Sequence, residues 1–118
     1  MEKIKAYLSG ETISSADSDA FSLYEKSRFG EISGEKIQYS IAESLYLVEK
    51  EKMEVFSNKK KFSKKEFIEK CGKIDKKINV KYPVFKDLRE KGYVIKTALK
   101  FGADFRVYDK GARPGEEH

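Results

Sequence analysis

The sequence predicts an α+β fold in two parts: a small N-terminal α/β domain over residues 1–80, and the start of a second, incomplete α/β domain, a helix plus two strands, over residues 81–118. Three observations support this. Apolar and polar residues alternate near the start, as in a strand with one buried face. Two later segments combine helix-capping signals with apolar residues at helical spacing. Near residue 80 the pattern changes to one helix followed by two strands.

Two strands, a short helix and an extended segment are predicted in the first forty residues. In KIKAYLSG, Ile4, Ala6 and Leu8 alternate with polar residues, and ETIS continues as a second strand. The segment DAFSLYEKSRFG is typical of a short helix, with Asp19 as a possible N-cap and Gly30 as its stop. KIQYS follows as a brief extended piece.

The strongest helix signal lies in SIAESLYLVEKEKM. Ser40 and Glu43 have the spacing of a capping box. Apolar residues then recur at helical intervals, at Ile41, Leu45 and Val48. One face of this helix is therefore expected to be buried.

A short strand, MEVFS, precedes a second capped helix, FSKKEFIEKCGKI. Ser63 and Glu66 repeat the capping-box spacing, and Phe62 and Phe67 have the spacing of a hydrophobic staple. Cys71 falls on the same stripe as Phe67, so we expect it to be a small core residue. Two capped helices on a small sheet make a plausible N-terminal domain.

From residue 81 the sequence predicts helix, strand, strand. Pro83 suits the first turn of a helix, Phe85 and Leu88 share a face, and Gly92 suits the left-handed position after a helix end. YVIKTALK and FRVYD are typical of strands, with Gly102 between them. So small a unit lacks a sufficient core of its own, and we expect something further to cover its sheet.

Positive charge is concentrated in the middle of the chain. Residues 50–81 carry 12 basic and 5 acidic side chains, whereas residues 1–49 carry 5 and 9. The run SNKKKFSKK would attract a polyanion such as RNA or DNA. The alternative is that these lysines form an ordinary solvated surface.

Several classes of function are disfavoured by the sequence. One cysteine, Cys71, and one histidine, His118, cannot build a structural zinc site, which needs about four such ligands. No apolar run is long enough to span a bilayer and no signal-peptide pattern is present, so a cytoplasmic location is expected. The segment GEISGEK lacks P-loop spacing, and no serine elbow accompanies His118.

One pair of residues near the C-terminus could carry chemistry. In the predicted strand FRVY, Arg106 and Tyr108 share a face. Three turn-forming residues follow: Gly111, Pro114 and Gly115. Such a turn could bring His118 back beside Tyr108. The alternative is a half-exposed tyrosine and an unrelated surface histidine.

The segment YPVFKDLREKGYVIKTALKFGADFRVYDKG, followed shortly by a histidine, closely resembles the catalytic-domain signature of the archaeal tRNA-splicing endonucleases, the tRNA-intron endonuclease family. Its core, KDLREKGYVIKTALKFGADFRVY, is long and specific. Upstream, SIAESLYLVEKEKMEV looks like part of the family's N-terminal domain. The resemblance covers nearly the whole chain and is weakest over the first 35 residues. It implies a nuclease-like catalytic domain that is truncated after His118.

The resemblance implies metal-independent cleavage of precursor tRNA at bulge-helix-bulge exon–intron junctions, without a cofactor, leaving 2′,3′-cyclic phosphate and 5′-hydroxyl ends. By motif position Tyr108 matches the family's general base and His118 its general acid. The family's third catalytic residue, a lysine, lies further downstream than these residues reach. The chain is therefore expected to be a subunit or fragment, inactive alone, that works with another endonuclease chain or a C-terminal segment in a homo- or hetero-oligomer.

Two alternatives stay open at this point. The chain could be a non-catalytic RNA-binding or assembly subunit of such an endonuclease. A DNA-binding module built on the lysine run is weaker, because no helix-turn-helix or zinc-finger pattern is present.

Overall fold

The computed structural model describes residues 3–96 and 106–108, and within them it contains eight strands and four helices. The predicted α+β class is confirmed. The elements in chain order are β1 Ile4–Ser9, β2 Thr12–Ser15, α1 Ser18–Ser27, β3 Glu31–Ser33, β4 Lys36–Tyr39, α2 Ile41–Glu49, β5 Met53–Ser57, β6 Lys60–Lys61, α3 Lys64–Ile74, α4 Ile78–Glu90, β7 Val94–Lys96 and β8 Arg106–Tyr108.

Six strands form one sheet in the order β3-β4-β2-β1-β5-β6, and β7 pairs with β8 in a second. The pairing of β1 with β5 is parallel, and the other pairs in both sheets are antiparallel. The predicted alternation in β1 is confirmed, since Ile4, Ala6 and Leu8 are buried. Two of these strands, β3 and the two-residue β6, were not predicted.

Helix α2 lies at the centre of the core. Its capping box is confirmed: the Glu43 N–H donates to the Ser40 hydroxyl and the Ser40 N–H donates to the Glu43 carboxylate. The helix contacts β5, α3 and α4, so its buried surface is wider than the predicted stripe. Leu45 is buried as predicted, whereas Ile41 and Val48 are half-buried.

Helix α1 differs from the prediction at both ends. Its N-cap is Asp17 rather than Asp19, and the Asp17 carboxylate accepts a hydrogen bond from the Lys5 N–H instead of capping the helix. The helix stops at Arg28, which adopts a left-handed conformation with φ 54°. Gly30 lies beyond that stop, with φ 84°. A side chain is excluded at this position because the backbone packs against β4: a Cβ there would lie 2.3 Å from Cγ2 of Ile37.

The predictions for α3 are confirmed. Ser63 and Glu66 form a complete capping box. The rings of Phe62 and Phe67 pack with their centroids 6.0 Å apart, as a hydrophobic staple requires. Cys71 is fully buried in the core.

Helix α4 begins before the predicted position, so the assignment of Pro83 to its first turn is wrong. The N–H groups of Val80 and Lys81 already donate to the Lys77 carbonyl, and Pro83 lies exposed inside the helix. Proline removes one backbone donor there, while Phe85, two residues later, is buried in the core.

The end of α4 follows the prediction. Gly92 has φ 96°, and its N–H donates to the Arg89 carbonyl while the Tyr93 N–H donates to the Leu88 carbonyl. These two bonds form a Schellman motif. Beyond it, Ile95 joins the same hydrophobic core as Phe85 and the residues of the six-stranded sheet.

The predicted division of the chain near residue 80 stays a prediction, and Gly102 lies outside the described residues. Within the described residues, none of the helices is long and apolar enough to cross a membrane.

Candidate functional site

The backbone of Tyr108 lies at the end of β8, opposite Val94 of β7. Val94 and its neighbour Ile95 are buried, so β7 is fixed to the core and β8 is fixed to β7 through the strand pairing. The predicted strand at Tyr108 is thus confirmed. The Tyr108 side chain and the whole of His118 lie outside the described residues, and their meeting in one cleft stays a prediction.

Helix α4, which leads into β7, is held by the buried side chain of Arg89. One guanidinium nitrogen donates to the Ser27 carbonyl at 2.7 Å and the other to the Arg28 carbonyl at 3.0 Å. The guanidinium also lies over the ring of Phe29, 3.9 Å from its centroid. These contacts tie α4 to the C-terminal end of α1, which precedes it by about sixty residues in the sequence.

Glu43 completes this arrangement, which we call the Arg89 anchor. Its Oε2 lies 4.0 Å from the Arg89 guanidinium, and the two side chains are only 3% and 5% exposed. The same oxygen accepts the Gly30 N–H at 2.7 Å, and Oε1 accepts the Ser40 N–H at 3.0 Å. Both carboxylate oxygens are therefore hydrogen-bonded, which is what a buried charge requires.

The electrostatics of the anchor involve two opposing effects. Burial lowers the pKa of Arg89, and the nearby carboxylate of Glu43 raises it. Arginine keeps its proton in proteins because its ordinary pKa is so high. The anchor is thus a charged pair that joins α4 to α2 and to the C-terminal end of α1.

The lysine run lies on the surface at the β5–β6 turn and the start of α3. Asn58 and Lys59 both have positive φ, 50° and 70°, as in a tight hairpin turn. Three of the lysines are paired with carboxylates: Lys60 with Glu66 at 3.7 Å, Lys61 with Glu54 at 3.6 Å and Lys64 with Glu51 at 3.5 Å. Exposed pairs of this kind contribute about 0–1 kcal/mol, so these lysines can exchange partners readily.

A shallow groove of about 140 Å³ lies between β5 and the start of α3. Lys61 and Lys64 line it together with the rings of Phe62 and Phe67. Pockets that enclose small ligands usually measure roughly 300–1,000 Å³. The groove is therefore too small to enclose a nucleotide, although it has two lysines at its edge.

Cys71 is a free cysteine buried in the core, and it belongs to no cluster of metal-ligating side chains among the described residues. No group of three or more His, Cys, Asp or Glu residues capable of holding a metal occurs in the part of the chain that the structure describes. Burial raises the pKa of the Cys71 thiol to about 12. A thiol in that state is a poor nucleophile at neutral pH.

Reasoning from the sequence missed the Arg89 anchor. The capping box identified Glu43, but only as a partner of Ser40. The available signal was the spacing of Arg89 from Phe85, four positions along one helix, which places an arginine beside a core residue. Its partners, Ser27 and Arg28, are too distant in the sequence for any local pattern to reveal.

The chain is similar to known proteins along most of its length. A family model for the tRNA intron endonuclease N-terminal domain matches residues 4–68, and one for the tRNA intron endonuclease catalytic C-terminal domain matches residues 78–118. Three of the curated relatives, each named tRNA-splicing endonuclease, illustrate the similarity. The one from Thermococcus kodakarensis is 43% identical over 95% of this chain and 66% of its own length. The one from Nanoarchaeum equitans is 48% identical over 66% of this chain and 54% of its own length. The one from Methanothermobacter thermautotrophicus is 35% identical over 98% of this chain and 68% of its own length.

Proposed function

Because the chain belongs to the tRNA intron endonuclease family, we propose that it forms part of an endonuclease that cuts precursor tRNA at exon–intron junctions. The observation that carries this proposal is the match to both domains of the family, in order, along one chain. The chain spans between 54% and 68% of the length of the three relatives described above, so the activity of the whole enzyme is proposed for an assembly that includes more than these residues. The reaction would take place in the cytoplasm.

Tyr108 and His118 are the chain's proposed catalytic residues. The Tyr108 oxygen takes the proton from the 2′-hydroxyl of the nucleotide before the junction. The resulting 2′-oxygen attacks the adjacent phosphorus, and the bond from phosphorus to the 5′-oxygen breaks. His118 donates a proton to that departing oxygen. The products are a 2′,3′-cyclic phosphate and a 5′-hydroxyl, and no external reactant is needed.

The two proton transfers place different demands on the site. A tyrosine has an ordinary pKa of about 10, so it acts as a base near neutral pH only if a nearby cation favours the phenolate. A histidine has an ordinary pKa of about 6.5 and can donate a proton at neutral pH without such help. We propose that a lysine from another endonuclease chain, or from a C-terminal segment, supplies the cation. It would also stabilise charge on the phosphorane.

Two features of the fold support the role proposed for Tyr108. The backbone of Tyr108 is paired with β7, whose residues Val94 and Ile95 are buried in the core, so its strand has a rigid base. The Arg89 anchor holds the preceding helix against α1 and α2. Catalytic groups need support of this kind, because small displacements of a reacting group reduce the rate strongly.

The test is single-turnover cleavage of a bulge-helix-bulge RNA by the 118-residue chain, with and without the C-terminal segment of the Thermococcus kodakarensis relative. We expect no measurable cleavage by the chain alone, and cyclic-phosphate ends when the segment is added. Tyr108→Phe and His118→Ala should each lower the rate by about 10² to 10⁴. The dissociation constant for the RNA should stay nearly constant.

Three results would contradict the proposal. Specific cleavage by the chain alone would remove the need for a further group. Cleavage at the parent rate by both variants would mean that the chain is a binding or assembly subunit. Loss of activity in EDTA with recovery in magnesium would indicate metal-dependent chemistry instead.

A further inference from the structure

The six-stranded sheet has one face covered by helices and one face, here called the open face, that is not covered by any described helix. In β1, Ile4, Ala6 and Leu8 belong to the core that the helices share, so Lys5 and Tyr7 lie on the open face. Strand β5 follows the same alternation, with Glu54 and Phe56 on the open face. Side chains on this face are exposed or half-buried.

The strand registers align one residue from each of the six strands in a row across the open face. Each member of the row is directly opposite the next, so their side chains are neighbours. From β3 to β6 in sheet order, the row is Glu31, Gln38, Ser14, Tyr7, Phe56 and Lys61. An aromatic pair thus lies between polar residues on one side and a lysine on the other.

The two rings at the middle of this row are stacked, and Tyr7 is the more exposed of them. The rings of Tyr7 and Phe56 have centroids 5.6 Å apart and planes inclined by 29°. Tyr7 is 53% exposed, which is high for so large an apolar ring. The exposed ring of Tyr7 can stack on a nucleic-acid base, because every base has a π-face.

Lysines flank the rings on the same face. Lys5 precedes Tyr7 by two residues in β1, and Lys61 is directly opposite Phe56. Lys61 is paired with half-buried Glu54, but the Lys61 side chain itself is 56% exposed, so water weakens the pair and a phosphate can compete for the lysine. Lys59, in the turn that joins β5 to β6, adds positive charge at the end of these two strands.

We propose that the open face is a binding site for single-stranded RNA, in which Tyr7 and Phe56 stack on unpaired bases while Lys5 and Lys61 bind the phosphates. A single strand fits better than a duplex, whose bases are already stacked on one another. RNA fits better than a protein partner, because the apolar surface is one aromatic pair wide with polar and charged neighbours. The proposal rests on the proposed function in taking unpaired nucleotides of the precursor RNA as the ligand.

The experiment compares two substitutions of exposed strand residues on opposite faces of the sheet. Tyr7→Thr removes the ring but keeps a residue suited to a strand. Ile32→Thr is the control, because Ile32 is 57% exposed in edge strand β3 and pairs with the core residue Ile37 on the other face. Binding is measured by fluorescence anisotropy with an oligoadenylate of about ten nucleotides, within the roughly 4–16 that one OB fold covers on a single strand. An abasic strand of equal length reports the contribution of the phosphates alone.

For Tyr7→Thr we expect the dissociation constant of the oligoadenylate to rise about fivefold or more, with little change for the abasic strand. Ile32→Thr should leave both unchanged. An equal loss of affinity for the oligoadenylate and for the abasic strand would overturn the proposal. An equal loss of affinity in the Tyr7 and Ile32 variants would overturn it as well. A change in oligomeric mass on Tyr7→Thr with unchanged RNA affinity would mean that the face binds another copy of the chain.

A second measurement uses the unmodified chain and does not depend on the folding of a variant. Ultraviolet cross-linking to the oligoadenylate, followed by peptide mapping, should mark the peptides that contain Tyr7 and Phe56. Cross-links confined to other peptides would overturn the proposal. Neither measurement involves cleavage, so an assembly that binds through this face but does not cut RNA would contradict the proposed function alone.

Discussion

The guanidinium of Arg89 is a buried charge whose partners are all fixed by other parts of the fold. Removing one member of such a pair leaves the other charge buried and unpaired, which typically costs about 3–5 kcal/mol. In this protein it would also leave the carbonyls of Ser27 and Arg28 without their donor.

We therefore predict that Arg89→Met lowers the free energy of unfolding by about 3–5 kcal/mol, as measured by urea denaturation. Lys91→Met is the matched control, because Lys91, directly after the same helix, forms an exposed pair with Asp87 and should contribute no more than about 1 kcal/mol. Similar losses in the two variants would show that the Arg89 anchor adds nothing beyond an ordinary surface pair.

Cys71 gives a prediction about pH. Its folded pKa, about 12, lies above its ordinary value near 9, because burial disfavours the thiolate. The folded state therefore holds the thiol proton more tightly than the unfolded state does. This contribution to stability is fully present below pH 9 and is lost as the pH rises towards 12.

The matching measurement is the free energy of unfolding of the parent and of Cys71→Val between pH 8 and 10.5. The parent should lose stability more steeply than the variant above pH 9. Native Cys71 should also resist alkylation at pH 8 and react once urea unfolds the chain. Rapid alkylation of the native protein would contradict the burial of the thiol.

At the scale of elements, the two capping boxes differ in their surroundings. Ser40 is buried, and its partner Glu43 also belongs to the Arg89 anchor, whereas Ser63 and Glu66 are exposed. The bond from the Ser63 N–H is the main cause that lowers the pKa of Glu66. The Ser63 box should therefore hold at neutral pH and weaken as the carboxylate takes up a proton in acid.

We predict that Ser40→Ala and Ser63→Ala each lower the free energy of unfolding by about 0.5–2 kcal/mol, with the larger loss at buried Ser40. Ser22→Ala, at an exposed position inside α1, is the control and should be neutral or slightly stabilising. Thermal or urea unfolding would measure all three. A loss at Ser22 equal to that at Ser40 would argue against a specific role for the caps.

How far the sequence predicted each element depended on how local its causes were. The boxes at Ser40 and Ser63 involve residues three apart, and the end of α4 depends on Gly92 itself, so all three were predicted correctly. The cap of α1 was misassigned because the Asp17 carboxylate binds the Lys5 N–H of strand β1, a contact that local sequence does not reveal. Pro83 was misassigned because long-range burial of Phe85 outweighs the local preference of proline.

In the candidate site, too, the features with local causes were predicted and those with long-range causes were not. The strand that contains Tyr108 followed from its β-branched and aromatic residues, and its pairing with Val94 agrees with that prediction. The partners of Arg89 could not be found from local patterns, since they are carbonyls about sixty residues earlier in the chain, and only its spacing from Phe85 was a local signal. The roles of Tyr108 and His118 came from the family resemblance alone and stay predictions.

At the scale of the whole molecule, the excess of positive charge between residues 50 and 81 is partly neutralised by neighbouring carboxylates. Lys60 and Lys61 each have a carboxylate partner, whereas Lys59, at the tip of the turn, forms no ion pair with any described residue. An RNA strand would release counterions most readily where the lysines are unpaired.

Replacing Lys59, Lys60 and Lys61 together by Gln should therefore flatten the slope of log affinity for RNA against log salt. The slope should change by less than the roughly two units that three phosphate contacts on a single strand would give, because two of the three lysines are already paired. Titrations at several salt concentrations would measure it. Lys26→Gln, in the acidic N-terminal part, is the control, and an unchanged slope in the triple variant would mean that the lysine run is only a solvated surface.

The parallel pairing of β1 with β5 has a consequence for how the chain folds as it is made. The hairpin of β1 and β2 joins neighbours and can form within microseconds. Ile4, by contrast, must wait for Met53 before its other edge is paired, so closing that loop carries an entropic cost that the hairpins avoid. On the ribosome β1 would leave the exit tunnel with one edge unsatisfied, and this edge would stay open to aggregation until β5 emerged.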